Sequence, residues 1–329
     1  MERTRLKTLL VIGCGSIGSR HARNAKLLGV KNIILCDADI SRAKKLGEEL
    51  GFPYCYSSWL EACGNHPDIQ AAVVATPTSQ HIKPAVFVAK KGIHIFMEKP
   101  ISHTLRSVGD LVSKVKQKRL VGMTGQSYRF HEGFLKLKEL LEDGAVGKIY
   151  HVNYKSGQYL PDWHPGRDYR TEYAAQKAMG GGVMLTSMSH AFDTVQWLFG
   201  RITDVSGWKA RLGDLDIDVE DSVFALLTTK AGIDVQVSTD FLQKSNEHKM
   251  TIVGEKGNIE ADFNEHTITI KKAGRERVVK YRFDGNKRYL EELKHFFRLV
   301  TARRIEHDLD LNVGKRILGL IYNPKIRNI

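Results

Sequence analysis

A cluster of three glycines between an apolar run and an amphipathic segment constrains the fold of this chain more than any other feature. Gly13-Cys14-Gly15-Ser16-Ile17-Gly18 follows the apolar residues 9–12 and opens the helix-like segment 17–28. Glycines at this spacing allow a tight turn, a close approach of the backbone to a ligand, and close packing of a helix on a strand. The pattern predicts a strand–turn–helix unit whose helix N-terminus can receive a phosphate group.

Short apolar runs alternate with amphipathic segments through the first 125 residues. The apolar runs are uninterrupted, which is typical of strands buried on both faces of a parallel sheet. We predict strands over residues 9–12, 32–36, 71–75, 94–97 and 121–125, and helices over 17–28, 41–50, 83–90 and 105–118. This β-α-β order predicts an α/β Rossmann domain with a doubly wound parallel sheet over residues 1–125.

The pattern changes after residue 125. We predict helices over 133–142, 186–199, 287–300 and 312–322, and strands over 148–156, 204–210, 222–229, 234–239, 249–253, 258–262, 267–271 and 278–281. This order predicts an α+β domain over residues 126–329, built on a large, mainly antiparallel sheet. One face of such a sheet often lacks helices. We therefore expect a homodimer or homotetramer that associates through this sheet.

Charge and composition exclude several classes of protein. The 329 residues carry a formal net charge of +13, but the basic residues are spread along helix-like segments rather than gathered with aromatic residues, so we expect no nucleic-acid partner. No apolar run approaches the roughly 20 residues of a membrane span, and the first residues lack the apolar core of a signal peptide. The four cysteines form no C-x-x-C pair, which favours a reducing cytoplasm. No cluster has metal-ligand spacing, so we predict no metal site.

An acidic residue follows the second predicted strand. Asp37 lies 19 residues after Gly18, where Rossmann domains place the carboxylate that accepts hydrogen bonds from the adenosine ribose. A 2′-phosphate about 4 Å from this carboxylate would be repelled by about 4 kcal/mol per unit charge at an effective dielectric constant of about 20. Arg42 lies nearby in the sequence and would soften this repulsion without replacing Asp37. The pattern therefore predicts NAD as cofactor, with NADP disfavoured.

Three further motifs resemble one known family. Ala75-Thr76-Pro77-Thr78-Ser79-Gln80-His81 and Met97-Glu98-Lys99-Pro100 each follow a predicted strand, and Gly180-Gly181-Gly182 precedes a helix that carries His190. With a turn at residues 254–257, they resemble the glucose–fructose oxidoreductase/inositol dehydrogenase (Gfo/Idh/MocA) family over nearly the whole chain. The resemblance implies an NAD(P)-dependent oxidoreductase that acts on a hydroxyl or carbonyl of a sugar, sugar acid or nucleotide-sugar.

The resemblance also implies which residues act. Oxidising an alcohol needs a base for the hydroxyl proton while hydride leaves to the nicotinamide. Lys99, expected at the carboxyl end of a parallel strand, and His190 are the proton carriers that the family pattern implies; an exposed lysine and a structural helix histidine are the alternatives. Pro100 is expected to follow a cis peptide bond. The implied cofactor-binding residues are Gly13, Gly15, Ser16, Ile17, Gly18, Asp37, Ala75, Thr76, Pro77, His81, Glu98 and Lys99.

The chain departs from the family pattern one turn before the histidine. Thr186, His190 and Asp193 are spaced to share one face of a helix, but the family usually carries an aspartate at the position of Thr186. A threonine hydroxyl can hydrogen-bond a substrate but cannot exchange a proton near neutral pH. Met188 also replaces a usual glycine. Two alternatives therefore stay open: a binding or regulatory member without turnover, and an enzyme that uses NAD in a closed redox cycle.

An unusual loop at residues 159–170 precedes the glycine run. Its aromatic rings and guanidinium groups suit a sugar ring that bears a carboxylate or phosphate, although a packed loop at a subunit interface would have the same composition. The candidate substrate-binding residues are Thr186, Asp193, Tyr128, Trp163, His164 and Arg167.

Overall fold

The computed structural model describes residues 6–329, which form two units. The first contains the chain up to Ser127 together with Tyr289–Leu318, and the second contains Tyr128–Arg288 together with Gly319–Ile329. The sequence predicted a single boundary after residue 125, whereas the structure returns residues 289–318 to the first unit. The reason is packing between residues distant in sequence: Phe296 lies edge-on to Phe96, with ring centroids 5.6 Å apart.

The first unit contains a six-stranded parallel sheet. The strand order is β3-β2-β1-β4-β5-β6, the doubly wound arrangement predicted from the β-α-β alternation. Every residue of the central strands β1 and β4 is buried, as the uninterrupted apolar runs required. The strands are β1 Thr8–Ile12, β2 Asn32–Cys36, β3 Cys55–Tyr56, β4 Ala71–Val74, β5 His94–Met97 and β6 Gly122–Thr124.

Helices connect these strands. They are α1 Ser16–Leu27, α2 Ile40–Leu50, α3 Trp59–Asn65, α4 Ile82–Lys90 and α5 Val108–Gln117, and the later helices α8 Lys287–Thr301 and α9 Leu311–Ile321 lie mainly in this unit. The strand β3 and the helix α3 were not predicted from the sequence. Two residues are too few to show strand alternation, and a seven-residue helix is too short to show a clear period, although Ser58 caps its start by accepting a hydrogen bond from Leu60 N.

The second unit contains a nine-stranded sheet in the order β14-β13-β12-β11-β7-β10-β9-β8-β15. The pairs β7–β10 and β8–β15 are parallel and the other neighbours are antiparallel, which confirms a mainly antiparallel sheet. The strands are β7 Ile149–Gly157, β8 Ile202–Ala210, β9 Ser222–Thr229, β10 Asp234–Asp240, β11 Glu247–Gly254, β12 Gly257–Asp262, β13 Thr267–Lys272, β14 Arg275–Lys280 and β15 Ile326–Asn328. Only the three-residue β15 was not predicted.

Two helices complete this unit, α6 Glu132–Glu142 and α7 Ser189–Phe199. A π-helical turn, Met184–Met188, leads into α7, where the sequence predicted one continuous helix from residue 186. The predicted turn at residues 254–257 is the connection of the β11–β12 hairpin, in which Gly254 pairs with Gly257. Across residues 6–329, no helix is long and apolar enough to cross a membrane.

Candidate functional site

The glycine turn joins β1 to α1. Gly13 has a positive φ of 97°, and a Cβ there would lie 2.5 Å from the Ala75 carbonyl oxygen. A Cβ on Gly18 would lie 1.8 Å from the Gly13 oxygen, whereas a Cβ on Gly15 would meet nothing within 4 Å. Two glycines are therefore needed for packing, and the third leaves the backbone open at the start of α1, beside Ser16. An open backbone at a helix N-terminus fits a pyrophosphate.

Asp37 is fixed beside this turn. One carboxylate oxygen accepts a hydrogen bond from Cys14 N at 2.7 Å, and the other accepts one from Asp39 N at 2.9 Å. The carboxylate therefore lies at the glycine turn, as a ribose-binding acid requires. Arg42 pairs with Asp39 at 3.3 Å. The residues of this part of the first unit fit an adenine dinucleotide.

The loop after β4 carries the A-T-P segment. Ala75 N donates to the Ile12 oxygen at 2.8 Å, which places the segment against the glycine turn. His81 is buried, and burial lowers its pKa. Its ring nitrogens lie 2.8 Å from the Thr76 oxygen and 2.9 Å from the Pro100 oxygen. His81 thus joins the loops that follow β4 and β5 through their backbone oxygens.

Lys99 follows β5 at the carboxyl end of the parallel sheet, the edge at which such sheets bind ligands. The preceding Glu98 is buried, with one oxygen 2.5 Å from His21 Nε2 and the other accepting a hydrogen bond from Lys99 N at 3.1 Å. Burial opposes ionisation of Glu98, but the hydrogen bond and charge of His21, with the charge of Lys99, lower its pKa. The Lys99–Pro100 peptide bond is cis, as expected.

His21 is a residue that the sequence analysis missed. It lies on the buried face of α1 with Gly18, Ala22 and Ala25. The available signal was a histidine three residues after the last glycine of the turn, on a helix face formed mainly by small residues. That spacing indicates a buried polar group that needs a partner, but the partner is 77 residues away in the sequence.

His190 lies on α7 in the second unit, and its ring stacks on Tyr128 with centroids 4.4 Å apart and planes 21° apart. The Arg288 guanidinium lies over the same tyrosine ring, 5.2 Å from its centroid. The structure therefore brings together two of the predicted residues, His190 and Tyr128. Stacking fixes the plane of the imidazole.

Thr186 lies in the π-helical turn and is buried. Its hydroxyl donates to the Gly182 oxygen at 2.8 Å. The predicted α-helical spacing of Thr186, His190 and Asp193 does not hold across this turn, because a π-helix has more residues per turn than an α-helix. Glu220, which lies outside the π-helical turn in the sequence, also supports it: Glu220 Oε1 accepts a hydrogen bond from Met184 N at 3.0 Å.

Asp193 is held in an ion pair. Arg129 Nε donates to its Oδ2 at 2.8 Å, and another guanidinium nitrogen donates to its Oδ1 at 2.6 Å. The side chains are 10% and 1% exposed, so this two-point pair is nearly dry. Arg129 carried no signal in the sequence, since it lies 64 residues from its partner. The structure thus gives Asp193 a protein partner rather than an open carboxylate.

Trp163, His164 and Arg167 line one small cavity within the loop. Glu172 lies between two of them, 3.5 Å from His164 and 3.5 Å from Arg167. Trp163 packs edge-on against Phe241, with centroids 5.2 Å apart.

Arg170 in the same loop makes a two-point pair with Asp168 and lies 3.6 Å from Asp216. Carboxylates within and beside the loop therefore lie next to the guanidinium groups of Arg167 and Arg170. Among residues 6–329, no group of three or more histidine, cysteine or acidic side chains could hold a metal ion.

Comparison with known families agrees with these features. Residues 7–126 match the model of an oxidoreductase family with an NAD-binding Rossmann fold, and residues 134–260 match that of the GFO/IDH/MocA C-terminal domain. The chain belongs to the Gfo/Idh/MocA family of oxidoreductases. The family resemblance expected from the motifs is confirmed, as is an NAD-binding Rossmann domain.

Individual relatives cover most of the chain. It is 29% identical over 304 residues to myo-inositol 2-dehydrogenase of Thermotoga maritima, covering 89% of this chain and 87% of the relative. It is 27% identical over 275 residues to 2,7-anhydro-N-acetylneuraminate hydratase of Escherichia coli, covering 80% and 70%. A structure of levoglucosan dehydrogenase with NADH and L-sorbose has the same fold, with a TM-score of 0.84 at 20% identity over 96% of this chain and 94% of that one.

Proposed function

We propose that this protein is an NAD-dependent dehydrogenase that oxidises a hydroxyl group of an uncharged sugar or polyol, with Lys99 and His190 in proton transfer. The observation that carries the proposal is the anchoring of Lys99. Its amide is bound by the buried Glu98 carboxylate at the carboxyl end of β5, in the same unit as the glycine turn and Asp37. A lysine on a solvent-exposed loop would need no such support.

The cofactor-binding residues favour NAD over NADP. The backbone of the glycine turn and of Ala75-Thr76-Pro77 would line the dinucleotide, and Asp37 would accept the ribose hydroxyls. Because Asp37 is held by two backbone N–H groups and Arg42 pairs with Asp39, this part of the site offers a 2′-phosphate a fixed negative charge. When bound, NAD accepts the hydride that leaves the substrate carbon.

Proton transfer falls to two side chains. Oxidation of an alcohol releases the hydroxyl proton, and the Lys99 amine or the His190 imidazole can accept it. Thr186 cannot take this role, and its hydroxyl already donates to Gly182. Asp193 is engaged by Arg129. We therefore assign Thr186 and Asp193 to holding the segment that carries His190, and Tyr128 to orienting its ring.

The charges of the loop favour an uncharged substrate. Free guanidinium groups would suit a sugar acid or a nucleotide-sugar, but Arg170 pairs with Asp168, and Glu172 lies against both Arg167 and His164. Trp163, His164 and Arg167 remain candidates for contact with a sugar ring and its hydroxyls. The names of two relatives, an inositol and a levoglucosan dehydrogenase, agree with this class.

One relative favours a second candidate. A hydratase adds or removes water without net oxidation, so the 27% identity to 2,7-anhydro-N-acetylneuraminate hydratase supports an enzyme that returns its hydride within one catalytic cycle. The replacement of the usual acid by Thr186 supports a third reading, a binding or regulatory protein. Lys99 and His190 argue against that third reading, since a protein without turnover does not need them.

A panel of substrates separates these candidates. Polyols, neutral sugars, sugar acids and nucleotide-sugars are incubated with NAD or NADP, and NADH absorbance and products are both measured. We expect NADH from at least one uncharged polyol or sugar and none from the matching acid. Product without net NADH would identify the closed cycle instead. NAD binding without any product would favour the regulatory protein.

We also propose a homodimer or homotetramer that associates through the sheet of the second unit. Phe224 and Leu226 on β9 are 39% and 46% exposed and alternate with buried residues. Trp208 stacks on Phe224 at 4.3 Å, which extends the apolar patch to β8. A second copy of the chain would cover it. Sedimentation should show a dimer or tetramer that Leu226→Lys dissociates.

A reducing, cytoplasmic location is also part of the proposal. All four cysteines of the chain are free thiols. Burial, followed by the charge of Asp37, raises the pKa of Cys14 and of Cys36 to about 12, which keeps both in the unreactive protonated form.

A further inference from the structure

A buried pair connects α1 to the residue before Lys99. His21 on α1 is completely buried, and its Nε2 lies 2.5 Å from Glu98 Oε1. The second oxygen of the same carboxylate binds the Lys99 amide. His21 therefore reaches the Lys99 backbone through one shared carboxylate, yet neither cofactor binding nor proton transfer has so far required it.

The surroundings of the pair make its geometry rigid. The His21 ring lies edge-on to Phe96, with centroids 4.9 Å apart, and 6.5 Å from the ring of Tyr289. Its Nδ1 is buried and has no hydrogen-bond partner among residues 6–329. A polar ring in such an apolar environment keeps the orientation that satisfies its one partner. Buried pairs of this kind add little net stability, and their best-attested use is to specify one arrangement.

A second buried histidine holds the next residue. The Pro100 carbonyl lies 2.9 Å from His81 Nδ1, and the other ring nitrogen contacts the Thr76 carbonyl. The backbone of Lys99 is thus tied to α1 on one side, through Glu98 and His21, and to the loop after β4 on the other side. Since α1 begins at the glycine turn, the tie through His21 links Lys99 to the helix that would receive the pyrophosphate.

We propose that His21 is a positioning residue for Lys99: through Glu98 it fixes the lysine at the end of β5 relative to the cofactor-binding helix. The inference rests on the proposed function, which places Lys99 in proton transfer. A misplacement of about 1 Å at a reacting group can cost about 10²-fold in rate. His21 should therefore control the chemical step rather than the binding of substrate or cofactor.

Three variants test this role. In His21→Leu, kcat should fall by about 10- to 100-fold, while KM and the Kd for NADH stay within about threefold of wild type. His21→Gln keeps an amide that can donate to Glu98 and should recover most of the lost rate. The control is Arg23→Leu on the same helix, which breaks a surface pair with Glu49 between side chains 48% and 47% exposed. This variant should change none of the three quantities, kcat, KM or the Kd for NADH.

A second measurement does not depend on turnover. Wild type and variants are treated with an amine-specific reagent, and the labelling rate of Lys99 is compared with that of the exposed Lys45 by mass spectrometry. Loss of the His21–Glu98 contact should make Lys99 more mobile. The labelling rate of Lys99 divided by that of Lys45 should therefore rise at least about threefold in His21→Leu. It should return towards the wild-type value in His21→Gln and stay unchanged in Arg23→Leu.

The outcomes are decisive in each case. A folded His21→Leu with unchanged kcat and labelling would overturn the proposal, and so would a loss confined to KM or to the Kd for NADH. If His21→Leu fails to fold because Glu98 is left without its partner, His21→Leu/Glu98→Gln removes the stranded charge; it should fold and still show fast labelling. If wild type turns over no compound of the panel, the proposed function fails, while labelling still decides the role of His21.

Discussion

The two units hold their key side chains by different means. In the first unit, the hydrogen bonds that fix Asp37 and Lys99 are donated by backbone amides at the ends of parallel strands: Cys14 N donates to the Asp37 carboxylate, and Lys99 N donates to the carboxylate of the neighbouring Glu98. In the second unit, His190 and Asp193 are fixed by other side chains, a stacked tyrosine and a paired arginine. Backbone support depends on a few glycines and loop residues with a recognisable spacing. Side-chain support depends on partners that can lie anywhere in the sequence.

Buried histidines show the same difference. His21 has a carboxylate partner at 2.5 Å. In the second unit, His131 and His248 lie among aromatic rings, and burial, followed by nearby positive charge, lowers their pKa to about 4 and about 3. His248 Nε2 bonds the hydroxyl of Tyr154, whose pKa burial raises. The first unit also contains a buried histidine, His81, whose pKa burial lowers. The difference therefore lies in the partners: His21 faces a carboxylate, whereas His131 and His248 lie among aromatic rings.

The largest expected effect comes from removing either proposed proton carrier. Lys99→Ala and His190→Ala should each lower kcat by about 10² to 10⁴-fold, the contribution of a lost acid or base. The Kd for NADH should stay within a few-fold of wild type, since the proposed role of both side chains is at the reacting carbon rather than at the pyrophosphate. Steady-state kinetics on the best compound of the panel, with Lys45→Ala as control, checks both. Wild-type kcat in either variant would remove that residue from the mechanism.

Breaking the Arg129–Asp193 ion pair of the second unit should lower the free energy of unfolding, and not only the rate of catalysis. Arg129→Met removes the guanidinium that pairs with the buried Asp193 carboxylate, which should lower the free energy of unfolding by about 3–5 kcal/mol. Arg129→Met/Asp193→Leu removes both charges and should recover most of the loss. Urea unfolding of the two variants measures the difference. Equal stability of Arg129→Met and wild type would show that the pair does not hold α7.

Acid should weaken the second unit through its neutral histidines. Unfolded histidine binds a proton near pH 6.5, but folded His131 does so only near pH 4. Its contribution is complete above about pH 6.5 and is lost as the pH falls towards 4, by about 3 kcal/mol in all. His131→Asn keeps the α6 cap, in which His131 Nδ1 accepts from Gly133 N, but does not titrate. Urea unfolding at pH 7 and pH 5 should show a shallower decline for His131→Asn.

The choice between NAD and NADP tests the proposed role of Asp37, the carboxylate that backbone amides fix in the first unit. Asp37→Ser removes the fixed negative charge and should lower the ratio of the Kd for NADP to the Kd for NAD by about 10²-fold. In free energy this is somewhat less than the roughly 4 kcal/mol repulsion of an unscreened pair of charges. Titration of both reduced cofactors by fluorescence measures it. Stronger binding of NADP than of NAD by the wild type would contradict the assignment of Asp37.

The smallest effect is expected at Thr186. Thr186→Val removes one buried hydrogen bond, from its hydroxyl to the Gly182 oxygen, while the Thr186 amide still donates to that oxygen at 3.0 Å. The free energy of unfolding should fall by about 0.5–1.5 kcal/mol, and kcat/KM should fall by at most about 2- to 13-fold. If His190→Ala proves equally mild, His190 is structural.

Sequence patterns anticipated the first unit in most respects. The glycine turn, Asp37, the A-T-P segment and the E-K-P segment are local signals, because backbone conformation and strand-end position depend on neighbouring residues. The parallel sheet followed from the uninterrupted apolar runs and the β-α-β alternation, whereas its strand order came from the structure. In this unit, too, the role of His21 was not predicted, because its partner Glu98 is brought near only by folding.

For the second unit, the sequence by itself determined the strands and the mainly antiparallel sheet, because alternation along a strand is also local. Only the tertiary structure decided which side chains support His190, that Asp193 belongs to Arg129, and that a π-helical turn interrupts the expected helix face at Thr186. It also returned residues 289–318 to the first unit. Each of these features is a contact between residues far apart in the chain or a backbone irregularity, and neither leaves a periodic trace in the order of residues.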